Sequence, residues 1–89
     1  MDFEWDPKKA RSNQAKHGVS FEEATYVFED LHLLEVFDDS ATEERCIAIG
    51  LVGAVVHVVV YTERGNRIRI ISARRATKSE KDAYFQQAD

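Results

Sequence analysis

Arg64, Arg69, Arg74 and Arg75 stand within one stretch of twelve residues, and a guanidinium is the side chain whose planar fork best fits a phosphate. The adjacent pair carries the sharpest expectation. A strand over residues 67–73 would leave Arg74 and Arg75 just past its end, where two forks can clamp one phosphate; the plainer account is a surface pair balancing acidic residues. Arg67, beside a tight Gly65-Asn66 turn, is expected to be solvated. Proton transfer has its own candidates. His17 offers an imidazole, the group matched to proton transfer near neutral pH, although a histidine before Gly18 also suits a helix end and its dipole. Glu63 can act as a base in a desolvated setting, or simply pair with Arg64 in a turn. Lys16 either contacts phosphate or solvates the helix end, and His57, in an apolar strand, reads as a core histidine. His17, His32, His57 and Cys46 have no tight ligand spacing, and the carboxylates of residues 35–44 have no EF-hand pattern. Neither a metal site nor a cofactor is expected.

Charge is sorted along the chain. Residues 64–81 hold seven basic side chains and one acid, Glu80, whereas residues 29–44 hold seven acids and no lysine or arginine. A protein of net charge −4 can therefore present a local cationic surface suited to phosphate without being basic overall. At 89 residues, 44% of them hydrophobic, the chain is read as one domain, residues 1–89, with a single core. The longest apolar run, residues 51–60, is too short to cross a bilayer, and an acidic beginning through Asp2, Glu4 and Asp6 is unlike a signal peptide. A single cysteine, Cys46, excludes an internal disulfide and suits a reducing cytoplasm.

These side chains need elements to hold them. Residues 3–5 read as a short strand; Asp6 then caps, and Pro7 begins, a helix to about Lys16 that His17-Gly18 closes. Ser20 to Glu23 is a capping box that opens a second helix to about Glu29, with Phe21, Ala24, Val27 and Phe28 on one face. Strands are expected over residues 33–37, 45–51, 55–61 and 67–73, and a last helix over residues 78–87. The third of these strands lacks polar alternation, so Val56, Val58 and Val60 should lie inside. The fourth alternates, so Arg67 and Arg69 share a wet face opposite Ile68 and Ile70. Trp5 and Tyr61 read as core aromatics rather than as platforms for bases. The expected class is α+β: a small antiparallel β-sheet in the order strand, helix, helix, four strands, helix, with the helices packed on one face and the basic face partly open.

Several strings go further. Trp5-Asp6, the run from Lys16-His17-Gly18 through Ser20-Phe21-Glu22-Glu23-Ala24, Glu44-Arg45, Ile49-Gly50, Thr62-Glu63-Arg64 and the run from Ile68-Arg69 through Ala73-Arg74-Arg75-Ala76-Thr77 together resemble the BrnT family across almost the whole chain. The resemblance implies the toxin half of a type II toxin–antitoxin pair, in a branch of the RelE and ParE superfamily, usually cutting RNA. It also implies a BrnA-like antitoxin with a DNA-binding domain as partner in a hetero-oligomer. Cutting RNA without a metal needs a base for the 2′-hydroxyl proton, an acid for the leaving oxygen and cations for the developing phosphorane charge. On that implication His17, Glu63, Arg64, Arg74 and Arg75 are catalytic candidates, and Lys16 and Arg69 bind the substrate. The rival expectation is a non-enzymatic module whose basic face docks a nucleic acid or a protein.

Overall fold

Asp6 and Pro7 start the first helix as the sequence requires. In the computed structural model, which describes residues 1–38 and 44–87, the Asp6 carboxylate accepts the Lys8 amide at 2.9 Å. Helix α1 (Pro7–His17) ends where Gly18 takes φ 71 and donates its amide to Gln14. Ser20 and Glu23 complete a capping box for α2 (Phe21–Ala24), and the chain then tightens into a 3-10 helix, Thr25–Glu29, where a continuing α-helix was expected. The cause lies in the sheet beneath. A Cβ on Gly50 would sit 2.8 Å from Val27 Cγ2, so this segment rides on bare backbone. Three residues per turn stack Ala24 and Val27 against it, both fully buried, and leave Phe28 half-buried between the rings of Phe3 and Tyr61.

Strands β1 (Asp2–Glu4), β2 (Leu34–Asp38), β3 (Arg45–Val52), β4 (Val55–Arg64) and β5 (Arg67–Arg75) form one sheet in the order β1-β5-β4-β3-β2. Of the acidic segment 29–44, Asp39 and Glu43 lie outside the described residues. From β2 to β5 the sheet is the expected antiparallel meander. As a whole it is mixed, which corrects the antiparallel expectation: β1 runs parallel to β5, with Phe3 opposite Ile68. The direction follows from where the chain goes next. Asn13 of α1 is bonded to Ala73, four residues beyond the level at which β1 ends opposite Arg69, so β1 must run toward that end of β5.

Pleating divides the side chains between two faces. One carries Ala48, Val59, Tyr61, Ile68, Ile70 and Ala73 against Val19, Phe21, Ala24 and Val27. The other carries Ile49, Val56 and Val58 against Tyr84 of α3 (Lys78–Gln87), so the helices are not confined to one face as expected. Asp30 draws α3 there: its carboxylate accepts the Leu51 amide at 2.8 Å, beyond the start of β2, and also the Tyr84 hydroxyl, while the Gln87 amide bonds the His32 carbonyl. Val56 and Val58 are buried as expected, but Val60 is only half-buried, on the part of this face away from the Tyr84 cluster.

Strand β5 also runs through Arg75 rather than stopping at residue 73. Its register against β4 slips at Val60/Tyr61, which face Ser72 and Ile70, so Ile71 is an extra, bulged residue. Before the bulge Ile68 and Ile70 face the helices; after it Ala73 does. Arg67, Arg69, Ser72 and Arg74 therefore share the open face, and Arg75 turns to the other, opposite His57.

Candidate nucleic-acid interface

The open face is built in rows. Thr62 lies opposite Arg69, which lies opposite Glu4; Arg45 extends the row from β3, one residue outward from the Cys46 and Tyr61 pair. Arg69 donates to Glu4 at 2.7 Å, and Arg67 comes within 4.0 Å of the other Glu4 oxygen. Arg64, opposite Arg67, extends the cationic end beyond the Gly65 turn. Toward α3 the floor becomes Ile47, Val60 and Ser72, and then Arg74. Arg74 is not idle: its fork holds both Glu80 oxygens, at 2.7 and 2.8 Å. Glu80 in turn accepts the Thr77 amide while Thr77 Oγ1 accepts the Glu80 amide, a capping box at the start of α3. The Arg74 hydrogen bonds, with those from Thr77, hold the Glu80 carboxyl down to about 2 and keep the Arg74 guanidinium charged.

Arg45 is the residue that sequence reasoning missed. It was visible only inside a family string, and nothing local to β3 marks it. Its Nε is enclosed yet has no hydrogen-bond partner among the described residues. Guanidiniums ringing a partly apolar floor can hold a phosphodiester backbone on the cations with sugar or base on Ile47 and Val60.

The remaining candidates stand elsewhere. His17 and Lys16 are exposed at the C-terminal end of α1, on the helix-bearing side, one turn past the buried Asn13. Glu63 lies opposite Ile68 and so points to that same side, lining a hollow with Glu35, Phe37, Cys46 and Tyr61. Arg75 is exposed there too, at the far end of β5. Because Arg74 and Arg75 are consecutive residues of a strand, they leave opposite faces and do not form the expected twin clamp. The structure thus brings Arg64, Arg69 and Arg74 to one face and leaves His17, Lys16, Glu63 and Arg75 on the other. His57 is buried as expected: Nδ1 donates to the Val55 carbonyl at 2.9 Å, and Nε2 lies 3.5 Å from Glu23 without hydrogen-bond geometry. Trp5 packs on Phe21, and Tyr61 is core. Among the described residues no cluster of His, Cys, Asp and Glu could hold a metal ion, and no helix is long and apolar enough to cross a membrane.

Comparison with curated proteins gives no match. The family described as the ribonuclease toxin BrnT of type II toxin–antitoxin systems matches residues 5–80. That span takes in α1, the capping boxes, every arginine of the open face and Glu80. Its description names the chemistry for which an arginine-lined face is suited, and the match covers most of the sequence: the chain belongs to the BrnT family of ribonuclease toxins.

Proposed function

We propose that this protein is a cytoplasmic toxin that cleaves RNA without a metal ion, laying the substrate across the open face of the sheet. The observation that carries the reading is the alignment of Arg64, Arg69 and Arg74, with Arg45 and Arg67, on the face that the early helices leave free, in a chain of this family. These cations hold the backbone and stabilise the charge that develops as the 2′-oxygen bonds to phosphorus and the bond from phosphorus to the 5′-oxygen breaks. The 2′-hydroxyl gives its proton to a base and the 5′-oxygen receives one from an acid. The sequence candidates for these transfers, His17 and Glu63, stand with Lys16 and Arg75 on the helix-bearing side, away from the arginine rows, so neither transfer is assigned to a residue of the open face. A BrnA-like antitoxin with a DNA-binding domain silences the enzyme by covering the basic face, burying about 1,600 Å² in total.

The test is cleavage of a defined RNA by purified protein in excess EDTA. Cleavage should persist, and an absolute requirement for a divalent ion would overturn the mechanism. Single-turnover rates at saturating RNA then divide the roles. Arg69→Ala should weaken binding and its salt dependence, whereas His17→Ala and Glu63→Gln, on the other face, should leave affinity unchanged, and an unchanged cleavage rate as well would remove both from the reaction. RNA left intact at every protein concentration, with binding still lost in Arg69→Ala, would make this a binding module.

A further inference from the structure

The sheet has two edges, and they are finished differently. β1 is three residues long, its Phe3 packs on Phe28, and its Glu4 carboxylate is taken by Arg69. β2 is five residues long and, among the described residues, bonded on one side only, to β3. Its Val36 is 44% exposed and its Phe37 58% exposed, on opposite faces of the strand. Natural edge strands are normally blunted by charge, proline or a bulge. β2 has neither proline nor a bulge, and its charged residues, Glu35 and Asp38, are both acids, so the edge selects against an acidic strand rather than against every strand.

Beside this edge lies a hollow of about 260 Å³ lined by Glu35, Val36, Phe37, Cys46, Tyr61 and Glu63, with no basic side chain among the described residues of its wall. Two carboxylates thus overhang an apolar and phenolic floor. Burial first, and then the Glu35 charge, hold the Tyr61 hydroxyl protonated far above its usual range. The potential in the hollow is negative, which rejects nucleic acid and favours a cation. A second copy of β2 would fit the backbone bonds, but it would bring a second Glu35 carboxylate beside the hollow that Glu35 and Glu63 already line.

We infer that the free edge of β2 is a docking strand for a partner protein, which adds an extended segment of alternating apolar and basic residues as a sixth strand. Main-chain hydrogen bonds supply the attachment, an apolar side chain of the partner covers Val36, and a lysine or arginine reaches back across β2 into the hollow between Glu35 and Glu63. The hollow lies on the face away from the arginine rows, although Val36 adjoins Ile47 of the open face; the test uses no RNA, so its outcome is distinct from that of the ribonuclease reading.

The experiment uses the full chain and no RNA. Two labelled eight-residue peptides, one alternating lysine and valine and one alternating glutamate and valine, are titrated by fluorescence anisotropy, with amide hydrogen exchange read in parallel. The lysine peptide should bind and slow exchange in β2, and the glutamate peptide should not. Glu35→Lys should weaken binding about tenfold, whereas Glu22→Lys, an exposed acid on α2, should leave it within about twofold. Equal binding of the two peptides, equal losses from the two substitutions, or protection confined to β1 would overturn the inference. So would a dimer in sedimentation that Val36→Lys dissolves, since that assigns the edge to a second copy.

Discussion

Replacing Glu80 with glutamine should flatten the acid limb of the stability curve. The Arg74 fork and the two Thr77 contacts bring the Glu80 carboxyl from its usual 4.5 to about 2. A carboxyl whose pKa is lower in the folded state adds stability that is complete above 4.5 and is lost as pH falls toward 2. At about 1.4 kcal/mol per pH unit the ceiling is about 3 kcal/mol. The Arg74 side chain is 38% exposed and that of Glu80 24%, so solvent screening brings the expectation to about 1 to 2 kcal/mol. Glutamine keeps the shape and one acceptor oxygen but cannot titrate. Urea unfolding followed by the fluorescence of Trp5, at pH values from 7 to 2.5, measures the difference. The parent protein should lose about 1 to 2 kcal/mol more than Glu80→Gln between pH 5 and 2.5. A common loss will remain in both, because Asp30 also titrates below its usual value: the bonds from Leu51, Tyr84 and His32 outweigh the opposing effect of its burial. Parallel curves for the two proteins would refute the reasoning, and would mean that the fork seen in the structure is not held in solution.

Gly50→Ala should cost about 1 to 3 kcal/mol in thermal unfolding, because the new methyl would press on Val27 Cγ2 at 2.8 Å and on the Asp30 carboxylate at 3.2 Å. Unchanged melting would show that the 3-10 helix can lift off the sheet. Tyr84→Phe removes the donor to Asp30 and should cost about 1 to 2 kcal/mol, with faster amide exchange in α3 than in β4. Uniform change across both elements would mean that α3 has no separate docking energy. Asn13→Ala strips the Ala73 amide and carbonyl and the Val19 carbonyl of buried partners, and should cost roughly 2 to 4 kcal/mol by urea titration. A loss below 1 kcal/mol would mean that water replaces the amide.

What was legible in the sequence is what neighbouring residues decide between themselves. Asp6-Pro7, the Ser20 and Glu23 box, Gly18 and the Gly65 turn each specify their conformation within a few residues, and each is found where expected. The rest depends on partners far along the chain. Nothing near Phe3 states that β1 will run parallel to β5, because that direction is set by α1 reaching Ala73 through Asn13, sixty residues away. Nothing in residues 78–87 states which face α3 will cover, because Asp30 and His32 decide it. The change from helical to 3-10 winding is likewise imposed from outside, by the bare backbone of Gly50.

The candidate site shows the same division most sharply at Ile71. Alternation alone would put Arg67, Arg69, Ala73 and Arg75 on one face and Arg74 on the other. The hydrophobic pattern already conflicts with that, since Ile68, Ile70 and Ala73 cannot all face one core on a regular strand. One inserted residue resolves the conflict: the bulge lets Ala73 join the core and brings Arg74 to the side of Arg69. Asn13 then fixes the choice from the opposite side of the sheet, taking both the amide and the carbonyl of Ala73. A regular pairing would carry Ala73 out of reach of that amide and turn Arg74 away from Glu80, so it would cost the α1 contact and the α3 cap together. The arrangement of cations on the open face is therefore set by a buried amide in α1 that never meets that face.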